Sequence, residues 1–178
     1  MSKHALDPFA NLAEFNKTLV RPGALLVTQG VDDRPNVMTI GWCHLGVLWG
    51  EPVCIVYVRP SRHSFTCLEQ LRQFTVNAAG PGLAKAVGLC GTVSGRDEDK
   101  FEAAGLTAVA SQKVKPPVIE ECWLHYECTA VHTNDMKAIN MHHDIKKEFY
   151  PQGDDFHRLY YGRVDACYGD VERLKVEG

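Results

Sequence analysis

The alternation of apolar and polar residues predicts strands along much of the chain. Ala24 to Gln29 form an apolar run, and Asn36 to His44 alternate after a turn of Asp, Arg and Pro at 32–35. Two such runs joined by a short turn pair as an antiparallel hairpin, which we expect here. Val53 to Val58 form an uninterrupted apolar run, which is typical of a central strand buried on both faces.

Three later stretches also have strand character: Phe74 to Ala79, Trp123 to His132 and Asp154 to Asp165. Apolar residues at helical spacing predict short helices between them, the first within Phe9 to Leu19 and another starting near Ser64. Closely spaced strands with a few helices favour an antiparallel barrel, because a doubly wound parallel sheet would need a helix after each strand. The predicted fold class is mainly β with capping helices.

The length of 178 residues fits one domain, because independently folding cores usually contain about 100 to 200 residues. We assign residues 1–178 to one domain, with a barrel core at 20–165 and a helix within 1–19. The composition is 45% hydrophobic and 23% charged, which is ordinary for a folded globular protein and excludes the disordered class.

The charge pattern argues against two classes of partner. The formal net charge is −3 and the basic residues are scattered, so neither nucleic acid nor an anionic membrane surface is expected to bind. No apolar run reaches the roughly 20 residues of a membrane-spanning helix, and the start of the chain lacks the apolar core of a signal peptide. A cytoplasmic location is therefore predicted.

The seven cysteines are an odd number without a C-x-x-C pair, and most lie inside apolar runs. This pattern predicts reduced thiols in the core rather than a disulfide framework or a zinc site. Cys43 and Cys90 lie in stretches with other chemical features, so their roles stay open. His142, His143 and Asp144 are adjacent and would face apart on a helix, so no metal site is predicted.

Three stretches carry groups that suit a bound ligand. In the first, Asn36, Thr39 and Trp42 could present an amide, a hydroxyl and an aromatic plane from one strand. The alternative is a core strand with a buried tryptophan. A cysteine enzyme that uses Cys43 and His44 is disfavoured, because neighbours on a strand point to opposite faces.

The second stretch, Arg59 to Ser64, lies between the central strand and a helix. A helix N-terminus surrounded by serines and arginines suits a phosphate, although a plain serine N-cap explains the same residues. In the third stretch, Cys90 to Phe101, small residues permit close backbone approach to a ligand. Neither the P-loop pattern nor G-x-G-x-x-G is present, so a phosphate site must be built in another way.

Together these stretches resemble the flavin reductase-like family, in particular its flavoredoxin-like branch, whose fold is the FMN-binding split β-barrel. The matching segments are Asn36 to Trp42, Arg59 to Ser64, Phe74 to Ala78, and Cys90 to Arg96 with Lys100 and Phe101. They fall within residues 20 to 108. One departure is Gly41, where many members of the family carry serine.

The resemblance implies non-covalently bound FMN in a homodimer whose sites lie near the subunit interface. The residues that it assigns to the flavin ring are Asn36, Thr39, Ile40, Gly41 and Trp42. The residues that it assigns to the phosphate wall are Ser61, Arg62, Ser64, Ser94, Arg96 and Lys100. Asn77 lies in a matching segment and is carried over as a binding residue. His157 is a further candidate beside the flavin, with an ordinary surface histidine as the alternative.

The resemblance therefore implies an FMN-binding oxidoreductase that passes electrons from NADH, NADPH or a redox partner protein through the bound flavin. No general acid or base stands out, so the catalytic residues are left unassigned. A non-catalytic FMN electron carrier, or a ligand-binding barrel without reductase activity, would have the same sequence features.

Overall fold

The computed structural model describes residues 3–174. Its strands are β1 (His4–Ala5), β2 (Ala24–Gln29), β3 (Pro35–Ile40), β4 (Cys43–Leu48), β5 (Glu51–Val58), β6 (Gln73–Ala78), β7 (Ala108–Val109), β8 (Val118–Ile119), β9 (Leu124–Asp135) and β10 (Arg158–Gly169). Its helices are α1 (Leu12–Val20), α2 (His63–Leu71), α3 (Ala84–Thr92), α4 (Lys100–Ala104) and α5 (His143–Phe149). Short 3₁₀ turns occupy Pro81–Leu83, Ala138–Asn140 and Val171–Leu174. The two ends of the predicted domain, residues 1–2 and 175–178, lie outside the described residues.

One antiparallel sheet dominates the fold, with strand order β3-β2-β6-β9-β10-β5-β4 and with β1 added to β10. The predicted mainly β architecture with capping helices is confirmed. β3 and β4 follow each other in the chain but lie at opposite ends of the strand order. The sheet is therefore not closed, and the chain crosses between its two edges through Gly41 and Trp42. We call this crossing the seam.

The seam corrects the prediction of one strand from Asn36 to His44. β3 pairs with β2 whereas β4 pairs with β5, so the chain has to leave one edge of the sheet before it joins the other. Local alternation continues across the break because it does not depend on which strand is the partner. Trp42 lies in the break and is 37% exposed. The alternative of a buried core tryptophan is therefore wrong.

Several predicted boundaries also shift. The run predicted to be central lies in β5, next to the edge strand β4, and Ile55 and Tyr57 on its outer face are half-buried. The helix predicted within Phe9 to Leu19 is α1, which begins at Leu12. β9 continues beyond the predicted end at His132 to Asp135, and β10 ends at Gly169 because its last residues pair with the start of β9.

Strand β2 explains how helices come to lie beside the seam. All six of its residues are buried. Ala24 and Leu26 pack in one hydrophobic cluster, and Leu25 and Val27 pack in a second cluster with residues of α3 and α4. Because successive strand residues face opposite sides, β2 is covered on both faces. The second cluster holds α3 and α4 against β2 and β3, so the segment between these helices lies next to β3.

No helix within residues 3–174 is both long and apolar enough to cross a lipid bilayer.

Candidate functional site

Two adjoining clefts open at the seam, and they share Met38, Thr39 and Arg62 as lining residues. The cationic cleft has a volume of about 220 Å³ and is lined by Asn36, Met38, Thr39, Ser61, Arg62, His63, Ser64, Cys90, Gly91, Val93, Ser94, Gly95, Arg96 and Lys100. The aromatic cleft has a volume of about 200 Å³ and is lined by Met38, Thr39, Ile40, Gly41, Trp42, Tyr57, Arg59, Arg62 and His157. All but one of the residues that the sequence predicted for the site therefore lie in these two clefts.

The exception is Asn77, which lines neither cleft. It is fully buried, and its side-chain oxygen accepts a hydrogen bond from the backbone N–H of Ile119 at 3.1 Å. The same oxygen lies 2.8 Å from Nδ1 of His125. The prediction of Asn77 as a binding residue is corrected, because position in a matching segment does not reveal which face of a strand is covered by other elements. The side-chain amide of Asn77 therefore has a structural role, because its contacts are with other buried groups.

Strand β3 supplies the wall that the two clefts share. The Asn36 side-chain amide donates a hydrogen bond to the Ser64 hydroxyl at 2.7 Å, which links β3 to α2. The Thr39 hydroxyl donates to the backbone carbonyl of Val87 at 2.5 Å, which links β3 to α3. Because both side chains are held by other elements, the wall has a fixed shape before any ligand arrives.

The segment from Arg59 to Ser64 contributes the floor of the cationic cleft. The helix that follows it, α2, is not capped by a serine side chain. Arg62 occupies the N-cap position of α2, and no side chain caps this helix. The Ser61 hydroxyl donates to the Asp155 carboxylate at 2.7 Å, whereas Ser64 lies in the first turn, fully buried. The alternative of a plain serine N-cap is therefore wrong. Uncapped N–H groups at the start of α2 lie beside the cleft and suit an anion.

Three basic residues face the cationic cleft without a counter-charge. Within residues 3–174 no carboxylate lies within 4.0 Å of the charged nitrogens of Arg62, Arg96 or Lys100. Lys100 is 5% exposed and its Nζ donates to the carbonyl of Cys90 at 3.3 Å. Burial lowers the pKa of Lys100, and the charge of Arg62 lowers it further. An anion in the cleft would offset this cost, because it favours the charged ammonium.

The third stretch approaches β3 as closely as its small residues allow. A Cβ atom on Gly95 would overlap Oδ1 of Asn36, and one on Gly91 would lie 3.3 Å from Cβ of Thr39. The small residues therefore allow a close approach to β3, whereas the predicted approach to a ligand stays a prediction. The approach closes the cleft over two buried atoms that have no hydrogen-bond partner among the described residues, Oδ1 of Asn36 and Nδ1 of His63. Such atoms are usually satisfied by water or a ligand.

Trp42 dominates the aromatic cleft. Its ring centroid lies 4.7 Å from that of His157, 5.5 Å from that of Phe149 and 6.3 Å from that of Tyr57. These contacts join the seam to β5 and to the segment before β10. The half-exposed indole therefore gives the cleft a flat apolar wall in a fixed orientation.

His157 lies in the aromatic cleft rather than on the open surface, so the alternative of an ordinary surface histidine is wrong. Its Nδ1 lies 2.5 Å from the phenolic oxygen of Tyr150. Burial lowers the pKa of His157 to about 4, with a further contribution from Arg59. The imidazole is therefore neutral near pH 7.

Arg59 and Ser61 hold the segment from Phe149 to His157 over the rim of the aromatic cleft. Arg59 donates to the backbone carbonyls of Phe149 at 2.8 Å and Asp155 at 3.2 Å. The Asp155 carboxylate in turn accepts hydrogen bonds from the backbone N–H and the hydroxyl of Ser61. The sequence reasoning missed this clamp. Arg59 stood in a matching segment, but no local signal tied it to residues that lie 90 and 96 positions later.

The other candidate groups lie apart from the clefts or have structural contacts. Cys43 is buried, with its Sγ 3.3 Å from that of Cys54, whereas His44 is exposed. All seven cysteines are free and buried. Side chains of His142, His143 and Asp144 do converge, contrary to expectation, because His142 precedes α5 with extended backbone. All three are exposed, and both histidines lie against the carboxylate of Asp144.

A family model described as flavin reductase like domain matches residues 17–175. An uncharacterized protein of Archaeoglobus fulgidus is 36% identical over 106 residues, which cover 60% of this chain and 59% of that protein. The matched region is therefore less than two thirds of this relative's length.

Solved structures share the fold. A flavoredoxin from Methanosarcina acetivorans is 25% identical with a TM-score of 0.66, covering 84% of this chain and 68% of that chain. A protein from Shewanella frigidimarina described as having a split barrel domain has 21% identity and a TM-score of 0.68. The match covers 83% of this chain and 66% of that chain. An NADH:FAD oxidoreductase of Streptomyces globisporus has 20% identity and a TM-score of 0.63. The match covers 95% of this chain and 89% of that chain. The sheet described above is thus a split barrel.

Proposed function

Since the chain belongs to the flavin reductase-like family, we propose that it is an oxidoreductase that binds FMN across both clefts. The observation that carries the proposal is the junction of the two clefts at Thr39 and Arg62. On one side lie basic side chains that form no ion pair with residues 3–174, and on the other side lies a tryptophan. FMN has the matching division, because a dianionic phosphate and a flat ring are joined by a short polar chain.

The cationic cleft is assigned to the phosphate. Arg62 and Lys100 make charge-assisted hydrogen bonds to its oxygens, and Ser64 donates its hydroxyl proton, because Asn36 already donates to the oxygen of this hydroxyl. Ser94 and Arg96 complete the wall. Arg96 is held in place by its hydrogen bond to the carbonyl of Ser61 at 3.1 Å. The hydroxyl of Ser61 stays with Asp155 and so contributes through its position.

The aromatic cleft is assigned to the isoalloxazine ring. Trp42 gives the flat wall, Ile40 and Gly41 offer backbone groups, and His157 lies beside Trp42. Gly41 carries no hydroxyl where many family members have serine, so the polar edge of the ring depends more on the backbone and on His157. When bound, FMN supplies the one- and two-electron chemistry that no side chain of the protein provides.

The electron donor is NADH, NADPH or a reduced partner protein. The name of the Streptomyces globisporus neighbour, an NADH:FAD oxidoreductase, supports a nicotinamide donor. The proposal also includes a homodimer, which rests on the family resemblance and is tested by sedimentation. The cytoplasmic location and the single domain stay predictions.

An absorbance spectrum of the purified protein tests the proposal. We expect a flavin spectrum, either directly or after incubation with FMN and gel filtration. Anaerobic mixing with NADH and then NADPH is expected to bleach the flavin with at least one of them. Protein that retains no FMN at micromolar concentration contradicts the proposed function. Bound flavin that stays oxidised with both nucleotides identifies an electron carrier reduced by another protein.

A further inference from the structure

The phenol of Tyr150 contacts two groups that compete for its single proton. Its oxygen lies 2.5 Å from Nδ1 of His157 and 3.2 Å from Sδ of Met136. A thioether sulfur is a weak acceptor, whereas an unprotonated imidazole nitrogen is a strong one. The shorter contact also involves the stronger acceptor. The stronger acceptor at the shorter distance favours the phenol proton in the bond with His157, which makes Nδ1 the accepting nitrogen.

This assignment fixes the tautomer of His157. A neutral imidazole carries one proton, and if Nδ1 accepts from Tyr150 that proton sits on Nε2. Nδ1 is occupied by Tyr150 on the rim, so Nε2–H is the group of His157 that is left for a ligand in the aromatic cleft.

The surroundings keep His157 neutral and Tyr150 in place. Burial is the largest effect on His157, Arg59 and Arg62 oppose a positive charge on it, and Asp155 favours one. Tyr150 is 3% exposed, and its ring lies 4.7 Å below the guanidinium of Arg59 and 4.8 Å from the ring of Phe156. The phenol thus has little freedom to turn away from the imidazole.

We propose that Tyr150 is a positioning residue that holds His157 as the Nε2–H tautomer, so that His157 donates a hydrogen bond to an acceptor on the edge of the ring bound in the aromatic cleft. The ligand half of this inference rests on the proposed function. A flavin offers carbonyl oxygens and ring nitrogens as acceptors at its polar edge. A donor at that edge stabilises the electron-rich reduced ring more than the oxidised one, because negative charge gathers there on reduction.

Nitrogen NMR of flavin-free protein with ¹⁵N-labelled histidine tests the positioning half. We expect the resonances of His157 to show a protonated Nε2 and an unprotonated Nδ1. Tyr150→Phe removes the phenol proton, so His157 is expected to change to a mixture of both tautomers. Tyr161→Phe is the matched control, since this tyrosine lies on β10 and contacts Trp49 and His132 instead. A wild-type Nδ1–H tautomer, or an unchanged tautomer in Tyr150→Phe, overturns this half.

Binding of oxidised and reduced FMN to two variants tests the ligand half. His157→Gln keeps an N–H donor near the place of Nε2, whereas His157→Asn puts its amide near the place of Nδ1. We expect His157→Asn to weaken binding of reduced FMN by about tenfold, and that of oxidised FMN by less, while His157→Gln stays within about threefold of wild type. Equal losses in the two variants, or equal losses for the two redox states, overturn the inference while leaving FMN binding established. Wild-type protein that binds no FMN instead contradicts the proposed function and the ligand half together, and the NMR result on the tautomer stands apart from it.

Discussion

The side-chain amide of Asn36 donates a 2.7 Å hydrogen bond to the hydroxyl of Ser64, and both side chains are buried. The bond joins the edge strand β3 to the first turn of α2. It also occupies the Ser64 oxygen as an acceptor, so the hydroxyl proton is free to point into the cationic cleft. A strand residue thereby sets the orientation of a hydroxyl on a helix.

Asn36→Ala tests this relationship. Loss of one buried hydrogen bond allows the Ser64 hydroxyl to turn, so we expect FMN affinity to fall by about five- to tenfold, or about 1 to 1.5 kcal/mol. Fluorescence titration with FMN measures the change. Asn16→Ala, at an exposed position of α1, is the matched control and should bind FMN like the wild type. Equal affinities of the Asn36 variant and this control would sink the role given to Asn36.

Arg62→Ala and Lys100→Ala test the phosphate assignment. In the proposed site each substitution removes a charge-assisted hydrogen bond to a dianion, so FMN binding should weaken by roughly 1.5 to 3 kcal/mol per variant. Riboflavin has the same ring without the phosphate, and its affinity should change much less. Lys85→Ala, an exposed lysine on α3, controls for the loss of general positive charge. If riboflavin and FMN weaken in parallel, the phosphate lies elsewhere.

Gly95→Ala tests the close approach of the third stretch to β3. The added Cβ would overlap Oδ1 of Asn36, so either the loop or the Asn36 amide has to move. We expect at least a tenfold loss of FMN affinity, about 1.4 kcal/mol or more.

Gly88→Ala is the control for this change. Gly88 lies within α3 and an added Cβ meets nothing within 4 Å. The substitution should leave FMN binding unchanged and raise the free energy of unfolding by up to about 1 kcal/mol, because alanine favours a helix. Equal FMN binding by both alanine variants would show that the approach at Gly95 has no bearing on the cleft.

The lowered pKa of His157 predicts a pH dependence of stability. Between its ordinary value of 6.5 and its folded value of about 4, the unfolded chain binds a proton at His157 that the folded chain does not. The free energy of unfolding should therefore fall as the pH is lowered through this window and level off below it. For a half-buried ring we expect a loss of about 1 to 2 kcal/mol, discounted for solvent screening.

Urea unfolding of wild-type protein and His157→Gln at the two ends of this window measures the effect. Glutamine does not titrate, so the variant should lose less stability on acidification, and the difference between the two proteins isolates His157 from the carboxylates. Parallel losses would mean that the imidazole binds its proton equally well in both states.

The sequence patterns predicted those features that depend on neighbouring residues in the chain. The alternation of β2 and β3, the turn around Arg62 and the small residues near Gly95 could all be read from neighbouring positions. Local patterns could not reveal the seam, because the break between β3 and β4 depends on the strands with which β3 and β4 pair. Asn77 was misplaced for the same reason, since the cover on its face of the sheet comes from residues about 42 positions away.

The rim of the aromatic cleft shows most clearly what local sequence patterns cannot predict. Tyr150 and Asp155 lie beyond the matching segments, and their roles depend on contacts with Arg59, Ser61 and His157. Such contacts join positions that are up to 96 residues apart. Only the folded sheet brings them together, so no local pattern could have found them.

If FMN binds as proposed, the open seam gives the cofactor a mechanical role. β3 and β4 have no ladder of hydrogen bonds between them, and two residues of chain hold these edges together. In the proposed binding mode, a flavin across both clefts would contact Thr39 on β3, Arg62 at the turn before α2, and His157 next to β10. The bound flavin would act as a removable cross-link. FMN binding should therefore reduce the movement of the two sheet edges at the seam relative to each other.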